Sequence, residues 1–124
     1  MPAPDFRTGG VPRRGRLPLG RYLWLARVAD KARAHAAGTL GEYIYPCPID
    51  RGSMERWGIP REQFERALAE HPDDSALLAW MHEHVSPQRA DAANSWVCTA
   101  WFENLDRQDR EEGAFPPETV TTPL

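Results

Sequence analysis

Glycine and proline cut this chain into lengths that suit short helices and little else. Gly38, Pro60, Pro72, Pro87 and Gly113 bound segments in which apolar residues recur at i, i+3 and i+4, the period of one helical face. The first such segment spans about 21–37. Tyr22, Leu25, Ala29, Ala32 and Ala36 form its stripe, and Gly38 suits the left-handed residue that closes a helix. A second begins at Pro60, where a missing N–H costs nothing. It carries Phe64, Ala67 and Leu68 and stops before Pro72. A third spans 74–85, with Asp73 as N-cap and Leu77, Leu78, Met81 and Val85 inward. A fourth opens with Ser86 as N-cap and Pro87 at the first helical position. It runs to about Glu112 on a stripe of Ala90, Ala93, Val97, Ala100 and Trp101. Its end, D-R-Q-D-R-E-E, reads as a solvated continuation with the i,i+4 pairs Asp106–Arg110 and Arg107–Glu111.

Residues 38–52 read as a loop. Pro46 and Pro48 forbid helix and deny two ladder donors, while Tyr43 and Tyr45 alternate as in a short strand. Residues 53–57 make one helical turn, stopped by Gly58. Residues 1–19, rich in Pro, Gly and Arg, form an extended basic arm, and 114–124 a Pro- and Thr-rich tail. The expected fold is mainly α. A small four-helix domain over 20–113 carries one irregular loop and at most a short strand pair. The first and fourth helices, both Ala-rich, are expected to pack closely.

At 124 residues the chain has the size of one domain, and its 41% hydrophobic and 27% charged content fits a folded one. No apolar run approaches the roughly 20 residues of a membrane span, and the start lacks a signal-peptide h-region. Two cysteines do not make a disulfide framework, so the cytoplasm is the expected compartment. The net charge of −3 is unevenly spread. Residues 1–33 carry eight Lys/Arg against two Asp; 34–102 carry five Arg against ten acids; 103–124 carry two Arg against six acids. A basic start could meet a polyanion, or could lie on the acidic remainder, within the chain or in a dimer.

Specialised chemistry concentrates between Leu25 and Asp50. Arg27, Asp30 and Arg33 stand three apart, neighbours on one helix surface, with Lys31 four beyond Arg27. Such a group can hold a carboxylate or phosphate, Asp30 orienting a guanidinium fork, or it can be a salt-bridge ladder of small energetic weight. Glu42, Tyr43, Tyr45 and Cys47 follow in the loop. Cys47, between two prolines, could be a nucleophile, a redox thiol or a soft ligand if a cation lowered its pKa; otherwise it is a small packed hydrophobe, as Cys98 is expected to be. Glu42 and Asp50 could do acid–base work. Trp57, Trp80, Trp96 and Trp101 fall at helical spacings and are assigned to the core. His82 and His84 lie two apart and point to different faces, so no metal site is expected. Phosphate-binding glycine motifs and the G-x-S-x-G elbow are absent, and no cofactor is implied.

Three segments together carry a resemblance: L-A-R-V-A-D-K-A-R-A, then G-T-L-G-E-Y-I-Y-P-C-P-I-D, then A-N-S-W-V-C-T-A-W-F-E-N-L-D-R-Q-D. The chain resembles small bacterial proteins of the family catalogued as domain of unknown function 5069, from about Pro12 to Gly113. The R-x-x-D-K-x-R-A segment and the Gly-Glu-Tyr loop are its most specific parts. The resemblance implies a compact, mainly helical, cytoplasmic protein and carries no activity to any residue.

The residues themselves support three readings. The first is a site for a small anionic ligand between the first helix and the Glu42–Asp50 loop. Arg27, Lys31 and Arg33 would hold the charge, Asp30 would orient them, and Tyr43 and Tyr45 would pack on the ligand's body. The second is an interaction module that meets a protein partner or a second copy through its oppositely charged ends. The third is a Cys47-dependent enzyme. Nucleic acid ranks last as a partner, because the domain beyond residue 33 is acidic.

Overall fold

In the computed structural model, which describes residues 3–112, the chain is mainly helical. Six helices follow in order: α1 Leu25–Ala37, α2 Pro48–Trp57, α3 Arg61–Glu70, α4 Asp74–His84, α5 Pro87–Ala100 and α6 Phe102–Glu111. The expectation of four is therefore corrected to six, with differences at two places in the chain. The loop expected over 38–52 gives up its second half to α2. Pro48 occupies the first helical position, where no N–H is required. Cys47 caps the helix with a reciprocal pair: its Sγ accepts from the Asp50 N–H at 3.4 Å, and Asp50 Oδ2 accepts from the Cys47 N–H at 2.9 Å. The expected fourth helix breaks at Trp101 (φ −121, ψ 19), which separates α5 from α6.

Helix α1 begins four residues later than its apolar spacing suggests. The backbone of 21–23 is engaged elsewhere. Leu19 and Tyr22 exchange both backbone hydrogen bonds across a tight turn at Gly20 (φ 60), the only β-bridge among the described residues. Asn94 of α5 accepts from the Leu23 N–H at 3.0 Å and donates to the Arg21 carbonyl at 2.7 Å. Trp24 then takes φ 68, a left-handed conformation that is costly for a bulky residue. No strand forms in the 38–47 loop.

The core gathers Tyr22, Trp24, Leu25, Val28, Trp57, Phe64, Leu77, Met81, Val97 and Leu105, all essentially inaccessible. Helix α1 lies deep in it, with eight of its 13 residues buried. Its principal packing partner is α3, while α5 packs chiefly against α2; the close contact expected between the first and the fourth helix is not formed. Of the four tryptophans assigned to the core, Trp57 is inside, whereas Trp80, Trp96 and Trp101 are half-buried against it. Ala36 and Ala100, placed on buried stripes by their spacing, are exposed. Caps expected at Asp73 and Ser86 are formed, with hydrogen bonds from Ala76 N–H (2.8 Å) and Arg89 N–H (3.2 Å). The 114–124 tail lies outside the described residues.

Candidate functional site

The ionic residues of α1 point in three directions, and each direction has its own chemistry. Arg27 is buried and forms a two-pronged pair with Glu112, at 2.8 and 2.6 Å. Tyr43 donates to the same carboxylate at 3.2 Å, and the guanidinium sits 5.7 Å from the Tyr43 ring and 5.5 Å from the Trp24 ring. Burial opposes the charge on Arg27, but the Glu112 pair outweighs it and raises the pKa. Burial and Glu112 together push the Tyr43 hydroxyl up to about 12.

Lys31, one turn on, is also buried, and its Nζ lies 2.8 Å from Asp50 Oδ2. Asp50 is fully buried, and both its oxygens accept hydrogen bonds. Oδ1 accepts from Trp24 Nε1 at 2.7 Å, and Oδ2 from Lys31 and from the Cys47 N–H. Cys47 is half-buried beside this pair. Burial pushes its thiol pKa up, the Asp50 charge adds to that, and the Lys31 charge opposes it without prevailing. Thiolate is thus disfavoured at neutral pH. Asp30 faces a different partner again: Arg13 from the arm grips it at 3.0 Å and at the same time grips Asp74 of α4 at 2.7 Å.

Arg33 differs from these cations. Its Nη2 donates to the His71 carbonyl at 3.1 Å, and its buried Nε has no hydrogen-bond partner. Among the described residues it forms no ion pair. Arg13 already holds the nearby Asp30 and Asp74, and burial sets the Arg33 pKa below its ordinary value despite their field. Arg33 lines a cleft of about 480 Å³ between α1 and α3, with Ala32, His35, Ala36, Leu68, Ala69 and Glu65. That volume lies in the range of small-molecule sites. Tyr45 does not line this cleft but touches two residues that do: its ring meets His35 edge-on, and its hydroxyl donates to Glu65 Oε2 at 2.8 Å, where Arg61 also donates at 2.7 Å. Burial and the Glu65 hydrogen bond both raise the Tyr45 pKa. A second cleft, of about 610 Å³, is lined by Phe6, Arg7, Glu42, Tyr43, Glu111 and Glu112. Its sign is wrong for an anion, since Arg7 is already paired with Asp5 at 2.7 Å.

The eight sequence-selected residues therefore do not form one pocket. Arg33 lines the α1–α3 cleft and Tyr45 bonds its Glu65; Glu42 and Tyr43 line the acidic cleft; Arg27, Asp30, Lys31 and Cys47 belong to internal networks. Glu65 and Glu112 are not among the residues the sequence singles out, whereas Arg13 belongs with Arg14 and Arg16 to a basic cluster of the arm. For the acids of α6 a signal existed, because Asp106, Asp109 and Glu112 stand three apart, just as Arg27, Asp30 and Arg33 do. They meet Arg16 (2.6 Å), Arg14 (3.1 Å) and Arg27, so that face is not a solvated continuation. His82 lies against Tyr22 and His84 stacks on Trp80. Among the described residues no three His, Cys, Asp or Glu side chains gather as a metal would need, and no helix is long and apolar enough to cross a membrane.

A family model described as domain of unknown function (DUF5069) matches residues 10–118, nearly the whole chain. The chain belongs to that family. None of the curated proteins matches it. The DUF5069 match begins within the arm, so it takes in Arg13, Arg14 and Arg16 as well as every helix they bind. It extends five residues beyond the resemblance read from the segments above, to residue 118.

Proposed function

We propose that this DUF5069 domain binds a small organic anion in the cleft between α1 and α3, with Arg33 as the residue that holds the charge. One observation carries the reading: among the ionic residues of α1, Arg33 alone both lines a cleft and lacks a carboxylate partner among the described residues. The Arg33 Nη1 makes no hydrogen bond to any described residue, and it gains a charge-assisted one when a carboxylate arrives. Arg27 and Lys31, the other two cations of the segment, are committed to Glu112 and Asp50 and serve the fold. The mainly apolar lining, with Ala32, Ala36, Leu68 and Ala69, suits the hydrocarbon part of such a ligand.

The test is thermal denaturation and calorimetry of the full chain with a series of organic carboxylates and inorganic phosphate. Binding of a carboxylate raises the Tm, and Arg33→Ala is expected to weaken it by about 10-fold or more. An unchanged response in Arg33→Ala would end the proposal.

The other two readings find less support. The oppositely charged ends meet each other within the chain, through Arg13, Arg14 and Arg16 with Asp74, Asp109 and Asp106. A Cys47-dependent reaction needs a thiolate, and the surroundings of Cys47 oppose one.

A further inference from the structure

We infer that the ligand of the α1–α3 cleft is a zwitterion: a short aliphatic chain with a carboxylate at one end and an ammonium at the other. The inference rests on the anion-binding reading above and deepens it. Two charges of opposite sign line this cleft from facing helices, Arg33 on α1 and Glu65 on α3. Both have bonding capacity left. Arg33 uses Nη2 on the His71 carbonyl, while its Nη1 bonds no described residue. Glu65 receives both Tyr45 and Arg61 on Oε2, and no described residue bonds Oε1. A carboxylate oxygen has two lone pairs, so Oε1 can take two donors from an ammonium.

The spacing of the two charges selects the shape of the ligand. Arg33 is anchored at His71, just past the end of α3, whereas Glu65 lies six residues earlier. At the rise of an α-helix that offset is about 9 Å along the α3 axis. Between the two lie Leu68 and Ala69 of α3, faced by Ala32 and Ala36 of α1. An apolar stretch between separated charges fits an α,ω-amino acid better than an α-amino acid, whose charges share one carbon. It also disfavours a dicarboxylate, whose second charge would meet Glu65. Tyr45 and Arg61 keep Glu65 available as the anion. Although burial works to raise its pKa, their hydrogen bonds lower it below the ordinary carboxyl value.

Calorimetric titration of the full chain with 5-aminopentanoate, pentanoate, pentylamine and norvaline tests this. 5-Aminopentanoate is expected to bind about 10-fold or more tightly than pentanoate, the worth of one charge-assisted contact. Glu65→Gln, which can still accept from Tyr45 and Arg61, should erase that advantage and leave pentanoate unaffected, while Arg33→Ala should weaken both acids. Equal affinity of pentanoate and 5-aminopentanoate overturns the zwitterion and leaves the anion site standing. Norvaline binding as tightly as 5-aminopentanoate overturns the separation of charges. If neither acid binds, or Arg33→Ala changes nothing, the anion reading itself falls and this inference with it.

Discussion

Asp50 shows how much one buried side chain can organise. It caps α2, holds the Lys31 ammonium and receives the Trp24 indole, all while fully buried. A buried pair of this kind adds little net stability over an apolar replacement, but removing one partner strands the other charge. Asp50→Ala is expected to lower the unfolding free energy by about 3–5 kcal/mol in urea titrations. A loss below about 1 kcal/mol would mean that Lys31 finds water without it. Cys47, next along the network, has a thiol pKa raised by burial and by Asp50. A raised thiol pKa means less thiolate at any neutral pH. Iodoacetamide should label Cys47 in the native protein more slowly than in urea, and the native rate should climb only above the ordinary thiol range. Peptide mapping separates it from Cys98, and equal rates at pH 7 would contradict the assignment. At this scale the sequence shows which residues carry charge but not which partners they meet. Arg27 and Glu112 are 85 positions apart, and nothing in local spacing announces that pairing.

Among the elements, α2 and α5 are joined most closely, and Gly52 explains how. A Cβ there would fall inside the Trp96 ring, which is also stacked by the Arg56 guanidinium at 3.9 Å and met edge-on by Trp101. Alanine in mid-helix gains about 1 kcal/mol by propensity over glycine, whereas overpacking costs about 1–3 kcal/mol. The second effect should prevail. Gly52→Ala is expected to lower the Tm and to shift the tryptophan fluorescence, and a raised Tm would show that Trp96 swings aside freely. Caps and stops at Gly38, Gly58, Asp73 and Ser86 were legible because each acts through its immediate neighbours. Helix α2 is not, because a proline ordinarily breaks a helix, whereas Pro48 sits at the first position, which tolerates it. The break at Trp101 was equally hidden. Its cause is tertiary: α6 turns its evenly spaced acids toward arginines from the other end of the chain.

Over the whole molecule, the basic arm acts as a strap. Phe6 is buried, its N–H bonds the Thr39 carbonyl, and Gly15 packs on the Trp24 ring so closely that no Cβ would fit. Arg13 joins α1 to α4 through Asp30 and Asp74. Hydrogen bonding to Arg13 holds the Asp74 carboxyl below its ordinary pKa, although partial burial opposes this. A depressed folded-state pKa adds stability above the unfolded value, and that contribution is lost as pH falls through the folded one. The stability gap between the natural chain and Asp74→Asn should therefore be present at pH 7 and close on acidification through the carboxyl range. A gap that persists unchanged at low pH would show that Arg13 gains nothing from the charge. The uneven charge along the sequence was visible from the start, and its two explanations could not be separated there. Within the chain, Arg13, Arg14 and Arg16 pair with Asp30, Asp74, Asp109 and Asp106.

A helix near the end of a domain ordinarily frays, and its amides trade hydrogen for deuterium within seconds. Helix α6 is fastened at Asp106, Asp109 and Glu112, in its middle, in its last turn and at its cap. Opening it requires three guanidinium contacts to be released together. Its amide protons should therefore exchange on the clock of α1, deep in the core, and the last of the described helices should be among the last to let go.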